Sequence, residues 1–320
     1  MYVFEDFMEH FNKRHYCMKT PEKKARDAFA LYFDGVSPER VDLITHKLIQ
    51  RNTKLWETSR GGRFNYHYNI VEVPFRKERN LAFHELGHVV DYIRTDKVPR
   101  RNCPSNFRYD PHFYSRDTVL STGKTLHQTV KEEVKAKAAE IYDMLCLAYR
   151  KELLDLLDKD LADAYELCGK VNNALSSVKD KYRCFKNKES AEGRAMQEEI
   201  QRLEGIVKEH GYFKGVHVPV HKTEAYKAFD LKYDILLDML SGAMDTRSIF
   251  SGHSRSYMNA KGGFGCEFFA NMFAAETMGL QETLTLTAQY LPDSYAAYRE
   301  LYGVVLRQFD EPVAPLFAAV

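Results

Sequence analysis

The sequence predicts an α+β protein, mostly helical, with a small mixed sheet and a long helical hairpin inserted into it. Three observations lead there. Phe64, Tyr66, Tyr68 and Ile70, followed by Val71–Val73, concentrate strand-forming side chains in ten residues. Apolar residues on both sides of that stretch recur at helical spacing. From Leu154 through Leu157, Leu161, Ala164, Cys168, Val171, Leu175 and Val178 to Tyr182, the spacing alternates between three and four, a heptad seam of about four repeats.

The elements follow in order. Pro21-Glu22 opens a helix running toward Leu31. Ser37 is an N-cap with Pro38 at the first helical position, ahead of an apolar face of Val41, Ile44 and Leu48 with Leu43 beside it. Gly61-Gly62 marks a turn, one or two strands follow, and Pro74 ends them. A helix is predicted from about Arg79 to Ile93. Residues 95–122, with Pro99, Pro104 and Pro111, read as loop. Thr125 to His210 reads as nearly all helix, broken near Lys186–Ser190 and resumed by Met196, Ile200, Leu203 and Val207, which makes an antiparallel helical hairpin. Its charge runs, such as Lys131–Lys137, are a solvated face. Gly211 stops the helix, Val216–Val220 suggests a short strand, and helices are predicted near Tyr226–Leu240, Gly265–Met278 and Ser294–Phe309. The resulting segments are 1–55 (N-terminal helices), 56–122, the inserted hairpin 123–210, and 211–320.

Composition sets the outer limits. The 320 residues are 44% apolar and 28% charged, enough to bury a core without covalent staples. Forty-six basic side chains against 45 acidic ones leave no basic footprint for nucleic acid. No apolar run reaches the length of a membrane span. The opening MYVFEDFMEH lacks the basic and apolar regions of a secretory signal, so a cytoplasmic location is expected. The cysteines at 17, 103, 146, 168, 184 and 266 form no C-x-x-C pair, and reduced, mostly buried thiols are expected.

The sharpest chemical signal is His84-Glu85-Leu86-Gly87-His88. Histidines four apart lie on one helix face, where both imidazoles reach one metal ion. Glu85 then faces the same cleft and can take a proton from a water bound to that metal, zinc being the expected ion. A hydrolytic zinc site needs a third protein ligand and an open position. The metzincin arrangement would need Gly at 91 and His at 94, but the sequence has Asp91 and Arg94. The third ligand therefore comes from elsewhere. The best segment is Cys266–Glu276, where Glu267 stands among Phe268, Phe269 and Phe273; an acid there is costly unless paired or bound to metal. Glu276, nearer the helix end and expected to be exposed, is the rival. Asn271, four residues after Glu267, is placed to hydrogen-bond a ligand imidazole, and Asp91, three after His88, is placed to hold an imidazole tautomer. In the segment 251–257, Tyr257 is a candidate donor to the oxyanion of a tetrahedral intermediate, and His253 a candidate substrate contact.

These residues resemble a known family. AFHELGHVVDYI together with CEFFANMFAAE is similar to the zincin domain related to anthrax lethal factor, in which H-E-x-G-H-x-x-D pairs with a later E-F-F-A-x-x-F helix. DILLDMLSGAMDTRSIFSGHSRSY resembles the region before that helix in zincin-like domains of phage minor head proteins and bacterial polymorphic toxins, where a G-H-x-x-x-Y element is common. QYLPDSYAAYREL resembles the closing helix of the same group. The resemblance covers about residues 60–95 and 230–310. It implies a zincin fold, metal ligands His84, His88 and Glu267, the base Glu85, and a catalytic tyrosine best matched by Tyr257.

Two departures stand out. The 178 residues between His88 and Glu267 exceed what compact relatives need, and the hairpin accounts for them as an insertion. Only about 60 residues precede the zincin region, where phage minor head proteins carry a portal-binding domain, which points to a freestanding effector or virion-delivered protein. The function expected is a zinc metalloendopeptidase acting on a protein or peptide, without nucleic acid and without a membrane span. The contrasting expectation is a catalytically silent phage-particle component that uses residues 123–210 as its docking surface for a partner protein. Hydrolysis of a non-peptide bond is the third, because the motif specifies activated water rather than its target.

Overall fold

A computed structural model describes residues 32–51, 53–58, 61–74, 78–100, 103–154, 171, 174–183, 185, 187–209, 224–244, 246, 250–260 and 262–310. The expected helix from Pro21, the expected strand at Val216–Val220, the stop at Gly211 and the middle of the heptad seam lie outside these residues, as do Cys17, Cys168 and Cys184. The described protein is mostly helical with small sheets. The chain divides into two compact units, one reaching Lys137 and resuming at Ser256, the other Ala138–Arg255. These bounds fall at 137/138 and 255/256, against the 122/123 and 210/211 read from the sequence.

The first unit begins with helix α1, Pro38–Gln50. Ser37 caps it through the Arg40 amide, and Leu43, Ile44 and Leu48 are buried as their spacing predicts. Strands β1 (Lys54–Glu57), β2 (Arg63–Asn65) and β3 (Ile70–Val73) form a mixed sheet in the order β1-β3-β2. β1 runs parallel to β3, and β2 antiparallel to it with Phe64 opposite Val71. Asn69 makes the turn into β3 in the left-handed region (φ 53°), a conformation asparagine tolerates, and its carboxamide oxygen accepts from Thr53 Oγ1 at 2.8 Å.

Helix α2, Arg79–Asp91, packs on β3 and β2. It is buried on almost every face, since Ala82, Phe83, Leu86, Val89 and Val90 are all covered. It passes into strand β4 (Tyr92–Arg100) without a loop: Tyr92 turns extended while its N–H still donates to the His88 carbonyl. β4 pairs antiparallel with β5 (Cys103–Phe113) from Tyr92↔Phe113 to Arg100↔Cys103, with register shifts between Tyr92 and Arg94 and between Pro99 and Arg100. This hairpin corrects the loop expected from residue 95. Prolines 99, 104 and 111 all lie within its strand ranges: Pro99 and Pro111 stand opposite Phe107 and Thr95, and Pro104 falls at the register shift between the Cys103 and Phe107 pairs; a two-stranded ribbon tolerates proline at its edges and bulges.

A short helix α3, Tyr114–Asp117, follows, and the chain reaches α4, Leu126–Tyr149. The boundary of the first unit lies inside α4. Glu133, before that boundary, accepts from the Asp293 and Ser294 amides at 3.2 and 2.8 Å and from the Ser294 hydroxyl at 2.7 Å. It thereby satisfies amides at the start of a later helix of the same unit.

The second unit contains the rest of α4, a π-helical turn at Arg150–Leu154, a helical stretch at 174–183, α5 (Ala191–Glu209) and α6 (Glu224–Met244). Tyr149 packs on Phe229 and Phe250, and Glu152 accepts from Lys232 and Tyr233, both at 2.9 Å. Lys179 pairs with Glu204 at 2.7 Å and Tyr182 reaches Gln197 at 3.5 Å. As one number rises the other falls, so 174–183 and α5 run antiparallel, the hairpin expected there. Its turn is fixed by Ser190, whose hydroxyl accepts the Gly193 amide.

The first unit resumes with a short helix α7 (Arg255–Met258), then α8 (Gly263–Met278), α9 (Gln281–Tyr290) and α10 (Pro292–Asp310). Phe264, Phe268, Phe269, Met272 and Phe273 are fully buried on α8. Phe269 meets Tyr298 of α10 edge-on at 5.3 Å between ring centres. α8 packs chiefly on α2.

Candidate metal centre

Two glycine features let α2 and α8 form one site. At Gly87, the position between the two histidines, an added Cβ would lie 2.8 Å from Ala270 Cα and 3.1 Å from its carbonyl oxygen. Only a residue without a side chain admits this backbone approach. Gly262, in the left-handed region (φ 83°), starts α8 so that Glu267 falls on the face toward α2.

The approach gathers three donors. His84 Nε2 lies 3.1 Å from His88 Nε2; Glu267 Oε2 lies 3.1 Å from the first and 3.5 Å from the second. All three atoms fall within 4.8 Å of one another, and the three residues form a group that could hold a metal ion. His84 and Glu267 are buried and His88 is half-buried.

The donor chemistry fits a cation. His84 Nδ1 is 2.5 Å from Asn271 Oδ1, which can only accept if it is the amide oxygen, so the ring proton sits on Nδ1 and the Nε2 lone pair faces inward. A lone pair on nitrogen and a carboxylate oxygen converging with a second imidazole repel unless a proton or a cation stands between them. Two imidazole nitrogens and one carboxylate oxygen make a donor set that could hold a metal ion.

Glu267 is 1% exposed. Burial pushes its carboxyl up, but without a metal ion the charge and hydrogen bonds that His88 and His84 offer when protonated outweigh that and hold it well below the ordinary carboxylate range. Its other oxygen, Oε1, accepts from the Tyr257 hydroxyl at 2.7 Å. Burial and then the Glu267 charge push the Tyr257 phenol up, so it stays a donor. The Tyr257 ring is nevertheless 48% exposed, with its hydroxyl alone turned inward. In this structure Tyr257 therefore divides the roles of the Glu267 oxygens, one toward itself and one toward the histidines.

Glu85 points to the same region from α2. Burial raises its carboxyl, against the lowering charges of His88 and His84; the Glu267 charge raises it further, and the nearby Phe64 backbone N–H of β2 lowers it. A carboxylate raised toward neutrality is better matched to general-base work at neutral pH than an ordinary one.

Two expectations change. Asp91 does not hold a ligand histidine. It is the last residue of α2, and the turn into β4 aims it at the start of α3, where Oδ1 accepts the Ser115 amide at 2.8 Å and Oδ2 the Ser115 hydroxyl at 2.5 Å. Glu276 is not exposed: its side chain is 9% accessible and is bound by Arg40, by Arg299 at 2.6 Å and by the Tyr298 hydroxyl at 3.1 Å. This network ties α1, α8 and α10 together and removes Glu276 as the rival ligand. His253 belongs to the second unit, where its Nδ1 and its backbone N–H lie 2.9 and 2.8 Å from Asp238 Oδ1. Gly252 (φ 131°) and the Ser241 hydroxyl, 2.6 Å from the His253 carbonyl, set that turn.

Sequence reasoning missed Gly62, Phe64 and Ser115. The Gly61-Gly62 pair was a visible signal, but as a turn only, because nothing in one dimension shows which side chain the turn faces. No family model, curated protein or solved structure matches the chain. Among the described residues no helix is long and apolar enough to cross a membrane.

Proposed function

We propose that the chain is a zinc metallopeptidase of zincin type, related to the lethal-factor-like and phage or toxin-associated zincins that its motifs resemble. The observation that carries this reading is the convergence of His84 Nε2, His88 Nε2 and Glu267 Oε2, with the buried Glu85 beside them. When bound, zinc supplies Lewis acidity and lowers the pKa of water to near neutrality, to about 7.

The protein residues do the rest. Asn271 fixes the His84 tautomer so that Nε2 faces the metal position. Tyr257 holds Glu267 by one oxygen and leaves the other to the ligand set. Glu85 accepts the proton of the attacking water and returns it to the leaving amine, a general-base and general-acid cycle served by its raised carboxyl. We assign to Tyr257 the donation to the developing oxyanion, which it makes by exchanging its Glu267 hydrogen bond for the substrate. Its half-exposed ring is suited to that exchange. The substrate is a peptide or protein segment entering from the side of β2, the strand next to Glu85.

The test is Glu85→Gln. It keeps zinc, measured as metal per chain, because the ligands are untouched, and it abolishes peptide hydrolysis. A Glu85→Gln protein that hydrolyses peptides as fast as the native one overturns the mechanism.

A further inference from the structure

The loop entering β2 meets Glu85 at two points. An added Cβ at Gly62 would lie 2.4 Å from Glu85 Cγ, 3.0 Å from Oε1 and 3.1 Å from Cδ. Two residues later, the Phe64 backbone N–H is close enough to the same carboxylate to favour its charged form. The neighbouring Gly61 is a built-in contrast, because a Cβ there meets nothing within 4 Å among the described residues. Neither glycine has positive φ, so alanine suits the backbone at both positions and differs only in the space it finds.

What a methyl at 62 would strike decides its effect. At Gly87 the obstacle is the Ala270 backbone, which cannot retreat without moving a helix. At Gly62 the obstacle is the Glu85 side chain from Cγ outward, which must rotate to make room but is not backbone. The fold then survives, and the Glu85 carboxylate leaves its place.

We propose that Gly62 is a positioning residue for Glu85: its bare backbone forms the wall, and the Phe64 amide the anchor, that set where the carboxylate stands. The consequence for catalysis rests on Glu85 being the base, whereas the clamp itself does not. A base displaced by about 1 Å costs on the order of 10²-fold in rate.

The experiment compares Gly62→Ala, Gly61→Ala and native protein in four readouts: zinc per chain, Tm, kcat and KM on a peptide, and hydrogen exchange of the Phe64 amide in the metal-free protein. Gly62→Ala is expected to keep zinc and fold, to lose about 10²-fold in kcat with little change in KM, and to exchange the Phe64 amide faster. Gly61→Ala is expected to match native protein throughout. Native kcat together with native Phe64 protection in Gly62→Ala overturns the proposal. Native protein that binds zinc but hydrolyses no peptide removes the peptidase reading, and Phe64 exchange still decides the clamp. Should Gly62→Ala fold poorly, Gly62→Ala combined with Glu85→Ala empties the space the methyl needs; restored Tm supports the contact, and unrestored Tm overturns it.

Discussion

Replacing Glu267 by glutamine removes the charge of the third ligand while keeping its volume in a site that is 1% exposed. The amide oxygen can still accept from Tyr257, so the packing of α8 is retained. What is lost is the anionic oxygen 3.1 and 3.5 Å from the two Nε2 atoms. A four-ligand structural zinc site binds with about 10–16 kcal/mol, roughly 3 kcal/mol per ligand. At about 1.4 kcal/mol per decade, Glu267→Gln should weaken zinc about 10²-fold. Competition with a chromophoric chelator reads this directly. Thermal unfolding reads it independently: at saturating zinc the variant should gain about 3 kcal/mol less stabilisation than native protein, since bound ligand stabilises by RT ln(1 + [L]/Kd). Native zinc affinity in a folded Glu267→Gln protein would refute the three-donor site, because a carboxylate contributing nothing is not a ligand.

Other perturbations test the surroundings. Gly87→Ala pushes a methyl onto the Ala270 backbone, so it should destabilise by about 1–3 kcal/mol and weaken zinc together, as α2 and α8 part; urea unfolding and zinc titration of one preparation check the coupling. Burial, opposed by the Ser115 hydrogen bonds, raises the Asp91 carboxyl to about 7. The folded protein therefore holds a proton that the unfolded chain releases near pH 4, and this group makes stability fall as pH rises from about 4 to 7, by roughly 4 kcal/mol at most. Asp91→Asn should flatten that slope in unfolding free energies measured from pH 4 to 8. Lys47 is 1% exposed, and burial, with the Arg51 charge, lowers its ammonium to about 8. Lys47→Met should stabilise by about 2–3 kcal/mol at pH 7, with the gap closing as pH rises from 8 to 10.5, where native Lys47 is neutral in both states.

The site was legible in the sequence wherever one helix carries the message. His84, Glu85 and His88 share one face by spacing alone. Glu267 stands out as an acid set directly against Phe268 and Phe269, and Asn271 follows it by one turn. Partners that depend on where the chain goes after a helix ends were not legible. Asp91 is three residues past His88 in helical register, yet the change to extended backbone at Tyr92 turns it toward Ser115. The β4–β5 hairpin was hidden by its prolines, whose usual meaning as strand breakers is suspended at a ribbon's edges and bulges. β1 was too short to show a period, and its partner β3 lies across a turn that only the Asn69 conformation reveals.

The distance along the chain between His88 and Glu267 has a consequence for biosynthesis. At about 5–20 residues per second, a ribosome makes the glutamate about 10 to 35 s after the second histidine. Through that interval the nascent chain carries two imidazoles without the acid that completes their set, and the bare surface of α2 opposite Gly87 waits for Ala270. The three-donor group is thus completed only after the intervening unit has been made. On the proposed reading, a newly made molecule would be inert until Glu267 has arrived, which would delay activity until synthesis is nearly finished.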